Sequence, residues 1–261
     1  MTSISCIVPC FNASDTLRRA VYSVINQTSP VQEIILIDDC STDKTWDLIE
    51  DLGNYSPLVV HARNIKNIGP AATRNVGWSL AKSEWLAFLD ADDTWHPQKI
   101  ELVRKLANRY PNVSLVGHLV DVRLKPFNEP EAFISDEELF SNVSVVGKCN
   151  VKFANPFSTP SVLVRRDVPY RFDEDMRYIE DYLLWSSLVL NGIQCMRINI
   201  NLGSLYKARY GSGGLSLNTS KMREGEIIAL GKLRDNCSIG RYEYYLLYFF
   251  WYLKYIKRVL S

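Results

Sequence analysis

The chain of 261 residues has few of the side chains that build metal clusters and disulfide frameworks. Its six cysteines form no Cys-x-x-Cys pair and it has three histidines, so neither a structural zinc site nor a disulfide scaffold is expected. The formal net charge of +1 provides no overall field for nucleic acid. The first nine residues lack the basic region and long apolar stretch of a signal peptide, which predicts a reducing, cytoplasmic location.

What the chain does have is a regular alternation of strands and helices over its first hundred residues. Continuous apolar runs predict strands, and the segments between them have helical spacing. Strands without polar residues on either face indicate a mostly parallel sheet with helices on both sides, in which ligands bind beyond the carboxyl ends of the strands. The predicted strands are 3–8, 33–37, 58–61 and 85–89, and the predicted helices are 15–27, 43–52, 70–81 and 97–109.

Beyond residue 110 the pattern is mixed, and the predicted elements are more widely spaced. The sequence predicts an α/β domain over residues 1–216 and a helical C-terminal extension over 217–261. The elements predicted here are strands at 112–122 and 159–164, an exposed loop at 125–130, an amphipathic helix from Tyr178 to Asn191 closed by Gly192, a helix at 220–235 and an aromatic segment at 242–260.

The fourth predicted strand ends in three carboxylates within four positions, Asp90, Asp92 and Asp93. Two like charges about 4 Å apart repel by roughly 1 kcal/mol in water and roughly 4 kcal/mol near a protein surface, so the run needs a stabilising partner. Asp90 and Asp92 share one face of an extended chain and can direct two oxygens at one Mg²⁺ or Mn²⁺. The alternative is a solvated turn in which Asp92 or Asp93 caps the helix that starts near Pro97.

Polar segments follow the other predicted strands as well. Residues 9–12 follow the first strand, residues 38–43 follow the second, and the acidic run follows the fourth. Because the carboxyl ends of parallel strands meet at one edge of a sheet, these segments are expected to converge on a single site.

Five motifs in this order resemble those of the family 2 inverting glycosyltransferases, which have the GT-A fold. The resemblance covers roughly residues 3–216 and implies a nucleotide-sugar-binding half (1–110) and an acceptor-binding half (111–216). It also implies transfer of a sugar from a nucleotide-diphosphate donor, expected to be a UDP-sugar, to a saccharide or lipid-linked saccharide in bacterial-type surface polysaccharide synthesis. The motifs are Val8-Pro-Cys-Phe-Asn12, Ile37-Asp-Asp-Cys-Ser-Thr-Asp43, Asn67-Ile-Gly-Pro-Ala-Ala-Thr-Arg-Asn75, Phe88-Leu-Asp-Ala-Asp-Asp93 and Glu180-Asp181-Tyr-Leu-Leu-Trp185.

The resemblance implies a role for each residue of the donor site. Pro9 and Phe11 would line the base, Asp39 would accept from uracil N3, and Arg74 would reach the base or the diphosphate. Each residue also has a structural alternative: a rigid strand exit for Pro9 and Phe11, a helix cap for Asp39 and a solvated helix charge for Arg74.

The resemblance also implies the groups for the reaction. Asp92 would coordinate a Mn²⁺ or Mg²⁺ ion that bridges both phosphates, and Asp90 would contact the ribose or a metal-bound water. Asp181 would be the base that deprotonates the acceptor hydroxyl, which with direct attack gives inversion; the alternative is an ordinary first-turn acid favoured by the helix dipole. Arg209, in the glycine-rich segment 207–216, would clamp the diphosphate, unless this segment is an ordinary flexible linker.

Two residues depart from the family pattern, and other functions compete with it. Cys40 and Thr73 stand where glycine and alanine are usual, which affects loop geometry and removes no charged group. The segment Asp90-Ala-Asp-Asp-Thr94 also fits aspartyl-nucleophile phosphatases, although there the motif closes the first strand. Sugar nucleotidyltransferases and dinucleotide oxidoreductases would need a glycine-rich loop after the first strand. A non-catalytic nucleotide-sugar-binding module is the remaining alternative.

The C-terminal segment 244–253 is apolar on every side of a helix and is followed by Lys254, Lys257 and Arg258. Ten helical residues span about 15 Å, half of the ~30 Å bilayer core, so this segment alone does not cross a membrane. Tyrosine and tryptophan beside basic residues suit a membrane interface, which would make the protein peripheral on the inner face of the cell membrane. The alternative is a helix buried against the catalytic domain or in a homodimer.

Overall fold

The computed structural model describes residues 2–123, 132–206, 218–236 and 238–260. The strands in these ranges are β1 (Ile4–Cys10), β2 (Glu33–Asp38), β3 (Val59–Arg63), β4 (Trp85–Phe88), β5 (Thr94–Trp95), β6 (Leu115–Val122), β7 (Val143–Val145), β8 (Leu163–Arg165) and β9 (Cys195–Leu205). The helices are α1 (Leu17–Ile25), α2 (Thr45–Tyr55), α3 (Pro70–Leu80), α4 (Lys99–Arg109), α5 (Asp136–Ser141), α6 (Lys148–Phe153), α7 (Glu180–Leu190), α8 (Thr219–Asp235) and α9 (Arg241–Leu260).

These strands form one sheet in the order β3-β2-β1-β4-β8-β6-β9-β5, with β7 paired to β9. The first four strands are parallel, as the apolar runs predict. Beyond β4 the sheet is mixed: β8 is antiparallel to β4 and β6, whereas β6 and β9 are parallel. The carboxyl ends of β1, β2 and β4 therefore lie side by side at one edge, where the sequence predicts the site.

Helices cover both faces of the sheet, which accounts for strands such as β2 whose residues are all buried. Apolar side chains of α1, α2 and α4 pack on one face, and those of α3, α7, α8 and α9 pack on the other. The approach of α3 depends on Gly77, where an added Cβ would lie 2.4 Å from Ile7 Cγ2 and 2.8 Å from Ile37 Cδ1. This packing confirms the α/β architecture with a central sheet flanked by helices.

Of the predictions for the second half of the chain, one is wrong in part and one is wrong. The strand predicted at 159–164 is a 3₁₀ turn over Thr159–Ser161 followed by the short strand β8. Helix α7 is not amphipathic, since every residue except Asp181 is buried; the sheet covers one side and neighbouring helices cover the other. Gly192 ends this helix with φ +84°, as predicted. The loop predicted at 125–130 lies outside the described residues.

The C-terminal extension is a pair of helices packed on the domain. Helix α8 matches the predicted helix at 220–235, and α9 places Leu247 and Trp251 in the core. Within the described ranges, none of the helices combines the length and the apolarity needed to cross a bilayer. The extension is thus attached to the domain through α8 and through one face of α9.

Candidate active site

A cleft of about 1540 Å³ opens at the carboxyl edge of the parallel strands and extends to the C-terminal helices. The structure brings seven of the predicted site residues together in it. Arg209 lies outside the described residues. The seven residues that line the cleft are Pro9, Phe11, Asp39, Arg74, Asp90, Asp92 and Asp181.

Asp39 is fixed at the end of β2 by backbone amides. Its two carboxylate oxygens accept from the N–H groups of Ile68 and Gly69, both at 2.9 Å, and Oδ1 also accepts from Asn64 Nδ2 at 2.9 Å. The first turn of α2 is instead satisfied by Asp43, whose Oδ1 accepts from Thr45 N at 3.0 Å. A carboxylate has about four acceptor sites, so Asp39 retains capacity for a donor from a bound base.

Two loop residues at this edge have left-handed backbone conformations. Asn12 has φ +49° and Cys40 has φ +62°. Asn12 joins the two loops, because its Oδ1 accepts from Thr42 N at 2.9 Å and its N–H donates to Ser41 Oγ at 3.0 Å. The conformation of Cys40 explains why glycine is usual at this position. Phe11, beside Asn12, is 50% exposed, which leaves its ring accessible to a base.

Arg74 links the acidic run to α7. Its Nη2 bonds Asp90 Oδ1 at 2.9 Å and its Nη1 bonds Glu180 Oε1 at 2.9 Å. Burial alone would lower the pKa of Arg74, but the Asp90 and Glu180 carboxylates raise it above its ordinary value. The guanidinium therefore stays charged between two acids. Its contact with a base or diphosphate stays a prediction.

Asp181 opens α7 and is held by three donors. Its Oδ1 accepts from Tyr182 N at 2.7 Å, and its Oδ2 accepts from Asn155 Nδ2 at 3.1 Å and Thr159 Oγ1 at 3.3 Å. Burial raises its pKa, while these donors and Arg74 oppose the rise. Burial likewise raises the pKa of the neighbouring Glu180 to about 7, opposed by Arg74. The site thus holds two adjacent carboxyls with elevated pKa values.

A left-handed residue, Ile179 with φ +64°, precedes this acid pair. A β-branched residue in this region is strained, at a cost of order 1–3 kcal/mol. Helix α8 supports the strained turn, because Gly225 lies so close that an added Cβ would be 2.9 Å from Tyr178 O. The position of the acid pair thus depends on the C-terminal extension.

The acidic run after β4 has carboxylate oxygens of the kind that bind a hard cation. Asp90 and Asp92 line the cleft, whereas Asp93 is buried and accepts from Tyr206 N at 3.3 Å. Helix α4 begins at Lys99 with Gln98 as its N-cap residue, so neither Asp92 nor Asp93 occupies the N-cap position that the alternative requires. No group of three His, Cys, Asp or Glu side chains that could hold a metal occurs in the described ranges. Mg²⁺ is commonly held by one or two carboxylates together with substrate phosphates, and Asp90 and Asp92 fit that pattern.

Sequence reasoning missed several residues of the cleft. Glu180 is part of a motif, but its ion pair with Arg74 was not predicted. Asn155 and Thr159 lie in a segment predicted partly as a strand, and His118 lies in a predicted strand with no motif around it. Burial lowers the pKa of His118 well below its ordinary value, so this side chain is a neutral part of the wall.

With this geometry in place, comparison with known proteins assigns the chain to a family. The model of glycosyl transferase family 2 matches residues 5–155, and the chain belongs to this family. It is 30% identical to the succinoglycan biosynthesis protein ExoO of Rhizobium meliloti (strain 1021), over 80% of this chain and 62% of that protein. It is 27% identical to WfaP of Escherichia coli, described as a UDP-Glc:alpha-D-GlcNAc-diphosphoundecaprenol beta-1,3-glucosyltransferase, over 87% of this chain and 86% of that protein.

Solved structures show the same fold at lower identity. S. aureus TarS 1-349 matches with a TM-score of 0.68 at 19% identity, covering 89% of this chain and 66% of that one. The same fragment in complex with UDP-GlcNAc matches with a TM-score of 0.67. The domain therefore has the GT-A fold. The chain spans 62% of the length of ExoO. It spans 40% of the longest TarS chain among these matches.

Proposed function

We propose that this chain is a metal-dependent inverting glycosyltransferase that moves a sugar from a UDP-sugar to a hydroxyl of a saccharide or lipid-linked saccharide. One observation carries the proposal: Asp181, which is partly buried at the start of α7, lines the same cleft as Asp39 and the Asp90–Asp92 pair. Family membership and the UDP-sugar named for WfaP support the donor class. A phosphatase of the aspartyl type would need the acidic motif after its first strand, and here it follows β4.

In this proposal the residues divide the work between donor and acceptor. Asp39 and Phe11 hold the base, and Asp181 takes the proton of the acceptor hydroxyl as its oxygen attacks the anomeric carbon. The bond from that carbon to the diphosphate breaks on the opposite face, so the configuration inverts. The charge that grows on the diphosphate would be neutralised by Mg²⁺ or Mn²⁺ held at Asp92 and Asp90.

The decisive experiment compares Asp181→Asn with Asp92→Ala. Asp181→Asn should retain UDP binding with Mn²⁺, measured by calorimetry, and lose about 10²–10⁴-fold in turnover, because an amide cannot accept the proton. Asp92→Ala should lose both UDP binding and turnover. Turnover is measured as nucleotide release from a panel of nucleotide sugars with acceptor. Asp51→Asn, exposed on α2 and outside the cleft, is the charge-matched control. Full turnover by Asp181→Asn would instead favour a non-catalytic binding module.

We further propose that the enzyme works in surface polysaccharide assembly at the inner face of the cell membrane. The biosynthetic roles named for ExoO and WfaP support this setting, and the free thiols of Cys6, Cys10 and Cys195 suit a reducing compartment. The outer face of α9 would contact the lipid surface, since its exposed side chains are mainly tyrosine, leucine and phenylalanine. The competing hypothesis is that a second copy of the chain covers the same face of α9 in a homodimer.

A further inference from the structure

The cleft continues past Asp181 and ends against the inner side of α9. Three cations of this helix line that end, namely Lys254, Lys257 and Arg258. The acidic side chain beside these cations is Glu226 of α8, which is buried. It is already bonded by Arg258 Nη2 at 3.1 Å and by Arg223 Nη1 at 3.4 Å. Among the described residues that line this end of the cleft, positive charge is therefore in excess. We call Lys254, Lys257 and Arg258 the α9 basic cluster.

Direct contacts join this cluster to the acid pair. Tyr182, the residue after Asp181, packs its ring 5.4 Å from that of Trp251. Lys254 Nζ lies 4.4 Å from the Trp251 ring centroid and donates to Phe153 O at 3.2 Å. Trp251 is fixed in turn, because its Nε1 donates to Lys152 O at 3.0 Å. Lys254 is thus connected through the Trp251 and Tyr182 rings to the residue that follows Asp181. Arg258 is held by Glu226, and Lys257 is exposed.

An anion would relieve repulsion within the cluster beyond what Glu226 offsets. Lys254 has Lys257 and Arg258 at helical spacings of three and four residues, where like charges destabilise a helix. Burial lowers the pKa of Lys254 and Arg258 lowers it further, against the opposing effect of Glu226. A phosphate group would supply negative charge and several acceptor oxygens for all three side chains.

We propose that the α9 basic cluster is the subsite for a phosphate or diphosphate group of the acceptor, whose sugar hydroxyl lies at Asp181. This inference rests on the proposed function, since it needs Asp181 to mark the acceptor end of the cleft. It specifies an anionic acceptor, a sugar carried on a phosphate or diphosphate, in place of a neutral saccharide. The name of WfaP includes such a diphosphate-linked acceptor for that protein.

The test measures a second anion site after the donor site is filled. The full chain is saturated with UDP and Mn²⁺, and calorimetry then follows binding of pentyl diphosphate, with inorganic pyrophosphate as the arm without an alkyl chain. Lys254→Gln/Lys257→Gln should weaken pentyl diphosphate binding at least tenfold, while UDP binding stays unchanged. Lys257→Gln alone, at an exposed position, should show a smaller loss in the same direction. Lys82→Gln/Lys148→Gln removes two exposed charges outside the cleft and should bind like the parent.

The outcomes separate this inference from the function on which it depends. Absence of UDP binding in the parent chain would overturn both. UDP binding without a second site, or equal binding of pentyl diphosphate by the double variant and the parent, would overturn the subsite alone. A third outcome would assign the cluster to lipid headgroups and also overturn the subsite. In it, the parent chain shows no pentyl diphosphate binding, and the double variant no longer pellets with phosphatidylglycerol vesicles. Equal affinity for pyrophosphate and pentyl diphosphate would support a site that recognises the phosphates themselves.

Discussion

Asp181 combines two properties that oppose each other. The base proposed at Asp181 must be ionised, and Asn155, Thr159 and the Tyr182 amide stabilise the ionised form. Burial raises the pKa of Asp181, which makes the carboxylate a better proton acceptor than a solvated aspartate. In the proposed mechanism, the balance between burial and these donors sets the pH at which the enzyme becomes active.

Removing one donor should shift this balance in a known direction. Thr159→Val deletes the hydroxyl that donates to Asp181 Oδ2, so the ionised form loses stabilisation and its pKa rises. Because the proposed mechanism requires the ionised form, the acid limb of the kcat/KM profile should move to higher pH. The profile is measured from acid to neutral pH, with Thr159→Ser as the control that keeps the hydroxyl. An unmoved limb in Thr159→Val would show that another group controls it.

Cys40 provides a stability prediction at the same scale. A left-handed conformation costs an L-residue roughly 1–2 kcal/mol, and glycine avoids this cost while losing more entropy on folding. With φ +62° at Cys40, Cys40→Gly should raise the free energy of unfolding by about 0.5–1 kcal/mol. Urea denaturation measures the change. Cys40→Ala, which removes the thiol and keeps the Cβ, should be nearly neutral, and a glycine variant no more stable than it would contradict the argument.

Among the elements, α8 and α7 depend on each other through one glycine. Helix α8 approaches the strained turn before Glu180 at Gly225, where Tyr178 O and Ile179 Cγ1 would lie 2.9 and 3.1 Å from an added Cβ. The backbone oxygen cannot move without moving the acid pair. The C-terminal extension is therefore part of the active-site support as well as a cover for the core.

A pair of alanine substitutions on α8 tests this dependence. Gly225→Ala should lower the free energy of unfolding by about 1–3 kcal/mol and lower kcat, because the turn carrying Asp181 must shift. Gly231→Ala, at a position with nothing within 4 Å of the added Cβ, should raise stability by up to about 1 kcal/mol through helix propensity and leave kcat unchanged. Urea unfolding and nucleotide release measure the two effects. Equal responses of the two variants would remove the proposed support role.

Over the whole molecule, the sequence predicted the parallel half of the fold better than the rest. Strands β1, β2 and β4 are buried on both faces, so the local apolar pattern identifies them. Strand β3 lies at the edge of the sheet and is largely exposed. The turn at Thr159–Ser161 is instead fixed by distant groups, because Trp95 Nε1 and Lys99 Nζ both donate to Pro160 O, at 3.0 and 2.7 Å. No local pattern contains that information, and the strand predicted there was wrong.

The features of the site likewise divide into those that the sequence predicted and those that it did not. Motifs identified the residues that line the cleft, since each motif follows a strand or begins a helix at the same edge. They did not reveal that Arg74 bonds Glu180, which is 106 positions away along the chain. They also gave no reason to connect Lys254 with Asp181, because that link passes through the rings of Tyr182 and Trp251. Contacts between distant segments supply what motifs lack.

The two faces of α9 have different surroundings, and this determines how the extension should be tested. Its inner side places Leu247 and Trp251 in the core, so removing residues 241–261 would expose core surface and confound any binding result. Its outer side has a stripe of exposed apolar and aromatic residues at spacings of three and four. The stripe consists of Tyr242, Tyr245, Leu246, Phe249, Tyr252, Leu253 and Ile256.

Substitutions confined to the stripe should abolish membrane contact and leave the fold intact. Leu246→Asn/Phe249→Asn/Leu253→Asn should reduce pelleting with phosphatidylglycerol vesicles at least tenfold, because each buried apolar side chain contributes about 1.5–3 kcal/mol. Ile65→Asn/Phe133→Asn/Val145→Asn, at exposed positions elsewhere, is the matched control and should pellet like the parent. Sedimentation velocity without lipid tests the competing hypothesis that the stripe is a homodimer interface. A parent dimer that becomes monomeric in the stripe variant, with vesicle pelleting unaffected, would assign the stripe to a second copy of the chain.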